Sequence, residues 1–244
     1  MERAKYRLIV IVLILISSQL QGSTRSEIYN FYIDSRMKDW KIAIDQLSSK
    51  EIKSNDLLIE LVNYQYGYIG WCIGNNRKDD ALAYLKLSEN NIKILEKNKF
   101  QPSMINAYKA ALYGYQIGLS NFMAPFIGPK SIDCAKRAVQ LDPNNAFAYI
   151  QLGNVKLHAP ALMGGSKTEA IMFFLTAKTL MEKNGAQIHD DWNYLSLMVS
   201  IAKAYTLSND YANAKKMYEE VLKFEPDFKW VKDELYPQLL KKIK

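Results

Sequence analysis

Two apolar stretches punctuated by Pro and Gly recur at a fixed distance in this chain. Met123 to Ser131 reads MAPFIGPKS and His158 to Lys167 reads HAPALMGGSK. Gly118 and Gly153, Ala124 and Ala159, and Pro125 and Pro160 are each 35 residues apart. A unit of that length cannot bury a hydrophobic face alone, so copies must stack side by side and share one core. Only 11 Gly and 7 Pro occur in 244 residues, and long runs of Ala, Leu, Lys and Glu lack strand-like alternation. The unit is therefore expected to be helical.

The carboxyl-terminal third shows the unit most clearly. Ala202, Tyr205, Ala214, Tyr218, Val221 and Pro226 fall at steps of 3, 9, 4, 3 and 5, with the turn at 208–211 between two helical patterns. Small residues on both helices let them approach closely, larger ones fill the groove, and Pro226 halts the second helix. Upstream, Tyr149, Leu152 and Gly153 precede Ala170, Phe174 and Ala177, with the same 4 and 3 spacing on the second helix. Gly153 to Ala170 spans 17 residues where Ala202 to Ala214 spans 12, so this interhelix connection has grown by five. A third copy carries Gly118, Ser131, Ala135, Ala138 and Pro143. The 35-residue spacing identifies 122–130 and 159–166 as the same connection, enlarged, in consecutive copies.

This pattern resembles the tetratricopeptide repeat, closely from residue 103 onward and loosely before it. The resemblance implies an all-α fold: a right-handed superhelical solenoid of four to five helix hairpins with a carboxyl-terminal capping helix. The best-defined repeats are 103–143, 146–183 and 194–227, the cap is 228–243, and the helical domain covers 25–244. Residues 64–95 read as a degenerate repeat and 27–47 as a further one. Phe228, Val231, Leu235 and Leu239 form the apolar stripe of the cap, which Pro237 is expected to bend or shorten. The Ala-Pro and Gly-Gly connections are also similar to those of the tetratricopeptide component associated with periplasmic TRAP-type transporters.

Residues 1–22 stand apart. Arg3, Lys5 and Arg7 precede the apolar run Leu8 to Ile16 and then small residues to Gly22, the layout of a secretory signal. The alternative reading is an uncleaved anchor, the only case in which a membrane becomes a partner. An export signal places the protein in the periplasm or outside the cell. The formal charge of +7 becomes +5 after cleavage, and with no nucleic-acid-binding module alongside it that balance reads as a solvated surface. Cys72 and Cys134 fall on elements too far apart to pair, so both are expected to be small buried residues.

The chemistry-bearing residues are few. His158 and His189 lie in no metal-ligand spacing, no activated-serine motif occurs, and GlyProLysSer at 128–131 lacks the first glycine of a phosphate loop. The acid pairs Asp79, Asp80 and Asp190, Asp191 stand just ahead of helical patterns, where carboxylates cap exposed backbone donors. The reading is a non-enzymatic protein with no cofactor and no metal. In tetratricopeptide proteins the first helix of each pair lines the concave face, and that resemblance points to Tyr66, Tyr115, Asn154, His158 and Lys203 as groove residues. The two connections add Phe122, Met123, Phe126 and Ile127, and Leu162 and Met163, as apolar contact candidates. The expected function is an exported scaffold that binds a protein or peptide in its groove. The alternative is a small-ligand or transporter-accessory protein whose pocket is walled by 122–130 and 159–166 and takes a small apolar ligand.

Overall fold

The computed structural model describes residues 24–183, 185 and 188–243, so the signal-sequence expectation lies outside the described residues. Those residues form eleven α-helices and no strand. Helix α1 spans 24–33, followed by α2 (Met37–Ser48), α3 (Asn55–Gly74), α4 (Lys78–Lys97), α5 (Pro102–Leu119) and α6 (Ala124–Leu141). Then come α7 (Ala146–His158), α8 (Lys167–Lys183), α9 (Trp192–Leu207), α10 (Tyr211–Phe224) and the short α11 (Tyr236–Lys242).

Helix starts follow from local chemistry. Ser54, Asn145, Asp191 and Asp210 each accept a first-turn backbone N–H of α3, α7, α9 and α10. Pro102 opens α5, where its missing N–H costs nothing. The cap expected at 228–243 is interrupted. Trp230–Leu235 forms a widened π-helical turn directly before Pro237, whose ring would meet the Asp233 carbonyl in a regular α-helix.

Helices pack in consecutive pairs, α3 with α4, α5 with α6, α7 with α8 and α9 with α10. The α5–α6 pair is antiparallel. Ser103 Oγ donates to the Ala138 carbonyl and Ser131 Oγ to the Ala110 carbonyl, both at 2.8 Å, so ascending residues on one helix meet descending residues on the other. In α7–α8 the close approach falls at Gly153, where an added Cβ would sit 2.4 Å from Phe174 Cε1. Ala135 of α6 holds the place of Phe174 of α8 and clusters with Ala110. Ala110, rather than Gly118, is thus the counterpart of Gly153, and Gly118 lies two turns further along a longer α5.

That difference corrects the reading of 122–130 as a loop. Helix α6 begins at Ala124 with Pro125 in its first turn, and the connection is only Ser120 to Met123, a single 3-10 turn at Asn121–Met123. The 159–166 connection is non-helical apart from the 3-10 turn Ala161–Met163. The two segments do join the first and second helices of consecutive pairs, as the repeat predicts, but their extra residues are built differently.

One core runs from Ile28 to Leu239. The amino-terminal helix closes it, because Tyr32 of α1 lies 5.8 Å from the Trp192 ring and 4.9 Å from Phe228, centroid to centroid. Trp40 and Trp192 meet edge to face at 5.1 Å, over Gly67 of α3, which has no side chain to hold them apart. Each aromatic contact of this kind adds about 0.5–1.5 kcal/mol beyond the area it buries. The first described helix is therefore in contact with the segment that follows the last helix pair.

Candidate functional site

Two of the residues expected from sequence to face the groove are in direct contact. Tyr66 of α3 and Tyr115 of α5 stack with centroids 5.2 Å apart, and the Tyr115 hydroxyl donates to the Tyr66 carbonyl at 3.1 Å. Tyr32, Tyr66 and Tyr115 are each partly buried. Burial is the main reason their phenol pKa values rise, so all three hydroxyls stay protonated.

Helix α7 carries a polar stripe beside Tyr66. Gln151, Asn154 and His158 are spaced by 3 and 4 and share one helix face. Asn154 Nδ2 donates to Gln151 Oε1 at 3.2 Å, and both amides interact with the Tyr66 hydroxyl. Gln151 is 2% exposed. Trp192 Nε1 is buried without an acceptor.

Lys203 of α9 is half-buried, with its ammonium 4.1 Å from the centroid of the Trp230 ring. Burial lowers its pKa, and among the described residues no carboxylate is within ion-pairing distance. His158 keeps an open edge at the end of α7. The surrounding protein and then the Lys203 charge lower its pKa. Of the five groove candidates, Tyr115 stacks on Tyr66, the Tyr66 hydroxyl meets Asn154, and Asn154 and His158 share one face of α7, while Lys203 stands over Trp230. Sequence reasoning missed Gln151, Trp192, Tyr32 and Trp230. The 3 and 4 spacing of Gln151 with Asn154 and His158 is the one signal that pointed to the stripe.

The apolar candidates separate by burial. Phe122 is 80% exposed, Phe126 is 64% exposed and Leu162 projects fully into solvent. Met123 and Met163 are partly exposed, whereas Ile127 is 6% exposed and belongs to the core. Phe122 and Phe126 lie 6.1 Å apart across the start of α6. Lys167, beside Leu162 and Met163, donates to the Leu207 carbonyl at the end of α9, which ties the neighbouring pair to the same edge.

A cavity of about 590 Å³ opens at the opposite ends of these helices. Asn63, Ser103, Tyr108, Asn145, Phe147 and Asp191 line it, and no residue of 122–130 or 159–166 takes part. Asp191 also caps α9 and pairs with Arg25 at 3.5 Å, while Asp79 and Asp80 occupy the first turn of α4. Of these carboxylates only Asp191 accepts a first-turn backbone N–H, while Asp80 pairs with Arg77 at 2.7 Å.

The fold defines an all-helical protein whose helices pack in consecutive pairs. A scan against protein-family models finds no match for this chain, and a search of curated proteins finds none either.

Proposed function

We propose that this chain is an exported tetratricopeptide-type scaffold, without catalytic chemistry, that binds a protein partner. The observation that carries the reading is the exposure of Phe122 and Phe126, which meet across the start of α6, and of Leu162 on the corresponding connection of the next helix pair, each largely in water. Exposed apolar side chains grouped on rigid elements mark contact surfaces, whereas scattered ones carry no such meaning. The repeat spacing and the close approaches at Ala110 and Gly153 support the family assignment. The test is capture from the native envelope with the wild-type chain and with a Phe122→Ser, Phe126→Ser, Leu162→Ser variant. One stoichiometric protein retained by the first and lost by the second supports the reading; equal recovery by both refutes it.

A second reading is favoured by a separate observation. The cavity of about 590 Å³ lined by Asn63, Ser103, Tyr108, Asn145, Phe147 and Asp191 has the size of a small-ligand site. In this reading the chain is a small-molecule binder, of the kind that accompanies a transporter.

A further inference from the structure

The cavity of about 590 Å³ has a charge opposite to that of the chain. The protein carries 32 Lys and Arg residues and a formal charge of +7, yet among the described residues none of these cations lines the wall. The ionised side chains of the wall are Asp142, exposed just after α6, and Asp191, mostly taken out of water at the start of α9. Arg25 meets Asp191 at 3.5 Å from outside the wall and is the more exposed of the two. Buried donors of the wall are engaged within it. Ser103 Oγ donates to the Ala138 carbonyl, Asn145 Nδ2 to Ser103 Oγ and Asn193 Nδ2 to Asp191 Oδ1. Ionised carboxylates bring acceptors alone, so the charged part of the wall accepts hydrogen bonds and donates none. Tyr108 and Phe147 pack on the same wall with centroids 4.5 Å apart, and the faces of such rings attract cations.

We propose that this cavity binds a small organic amine in its ammonium form, with Asp191 as the counter-charge and Asp142 as a second, more exposed carboxylate. The proposal deepens the small-ligand reading and rests on it. The walls specify the remainder of the ligand. Met104, Phe147, Ile150 and Met181 are apolar, so the ammonium must carry an apolar body. Inorganic cations lack that body. Asp191 dominates the preference, because a carboxylate shielded from water attracts a cation more strongly than an exposed one. The positive charge of the whole chain opposes cations at long range, so a preference for an amine originates in the cavity itself.

The experiment is calorimetric titration of the purified protein, at neutral pH, with phenylpropylamine, phenylpropanol and phenylpropanoate, which share one apolar body and differ in the head group. The amine is expected to bind at least about tenfold more tightly than the alcohol, and the carboxylate more weakly than either. Asp191→Asn removes the charge and keeps a side chain that caps helix starts well, and it is expected to abolish the preference for the amine over the alcohol. Asp142→Asn is expected to reduce that preference less. Ala146→Trp, at a partly exposed place in the wall, fills the cavity and is expected to abolish binding of all three probes. Circular dichroism of each variant confirms that the fold is kept. Equal affinity for amine and alcohol, or a preference that survives Asp191→Asn, overturns the amine assignment and leaves the small-ligand reading standing if Ala146→Trp still abolishes binding. Binding that persists in Ala146→Trp, or absence of binding by every probe, overturns both.

Discussion

The Tyr29 hydroxyl donates to Glu225 Oε2 at 2.7 Å, joining residues 196 positions apart in the chain. Tyr29 is on α1 and Glu225 directly follows α10, so this bond fastens the first described helix to the end of the last pair. Burial, and then the carboxylate it meets, push the Tyr29 pKa up, which keeps the phenol a donor at any physiological pH. Lys229 to Asp34 at 3.0 Å and Arg25 to Asp191 at 3.5 Å flank it but are more exposed. Exposed pairs of that kind contribute about 0–1 kcal/mol.

Tyr29→Phe should therefore lower stability by about 1–2 kcal/mol, the lower part of the range for a hydrogen bond to a charged group, because water can reach Glu225. Urea denaturation measures the loss. Hydrogen exchange should locate it, with faster exchange in α1 and around Trp192 and little change in α5 to α8. A uniform acceleration across the chain would show that α1 does not act as a separate clasp.

Gly153→Ala tests how tightly the repeat is packed. The new Cβ would lie 2.4 Å from Cε1 of Phe174, a ring with no exposed surface and so no free direction in which to move. Overpacking of this sort costs about 1–3 kcal/mol. The paired substitution Gly153→Ala with Phe174→Leu should recover part of the loss, because the leucine vacates the clash. Thermal unfolding of both variants decides whether the contact or helix propensity controls this position.

The α7–α8 and α9–α10 pairs were legible because their small residues carry the packing, and small residues at fixed spacing are visible in one sequence. The α5–α6 register was misread. Gly118 matches Gly153 by letter, but the helices meet through Ala110, Ser131 and Ala135, and nothing local distinguishes a glycine at an interhelix contact from one that faces solvent. The start of α6 was hidden for a similar reason, since Pro125 and Gly128 signal a loop while Pro in a first turn permits a helix. Closure by α1 was not legible at all. It depends on Tyr32 and Trp40 meeting Trp192 and Phe228, contacts between opposite ends of the chain that leave no periodic trace. Tyr66, Tyr115, Asn154 and His158 could be singled out as residue types, but the stacking of Tyr115 on Tyr66 and the meeting of Tyr66 with Asn154 and Gln151 join helices far apart in the chain and leave no local trace.

Both cysteines are free and neither should acquire a partner in an oxidising compartment. Cys72 is fully buried on α3, and burial pushes its thiol pKa up to about 11. Cys134 on α6 is half-buried, with its pKa also raised by burial. Since the thiolate is the reactive form, both are poor nucleophiles at pH 8. A thiol-reactive chromogenic disulfide should count two thiols in the unfolded protein without reductant, and should label Cys72 in the folded protein only as fast as the fold opens. Rapid labelling of Cys72, or fewer than two thiols after unfolding, would contradict the packing around α3.

His158 gives the inner face a pH signature. Its folded pKa lies below the usual 6.5 of an unfolded chain, first because protein surrounds the ring and second because Lys203 is near. The unfolded state then takes up a proton before the folded state does. Stability contributed by the neutral ring is fully present above pH 6.5 and is lost as pH falls through the interval down to the folded pKa. Proton NMR of the imidazole should show a titration midpoint below that of histidine in an unfolded chain. Lys203→Met should move the His158 midpoint upward without restoring it fully, because the surrounding protein remains. If the midpoint is unmoved by the substitution, Lys203 and His158 do not share one electrostatic environment.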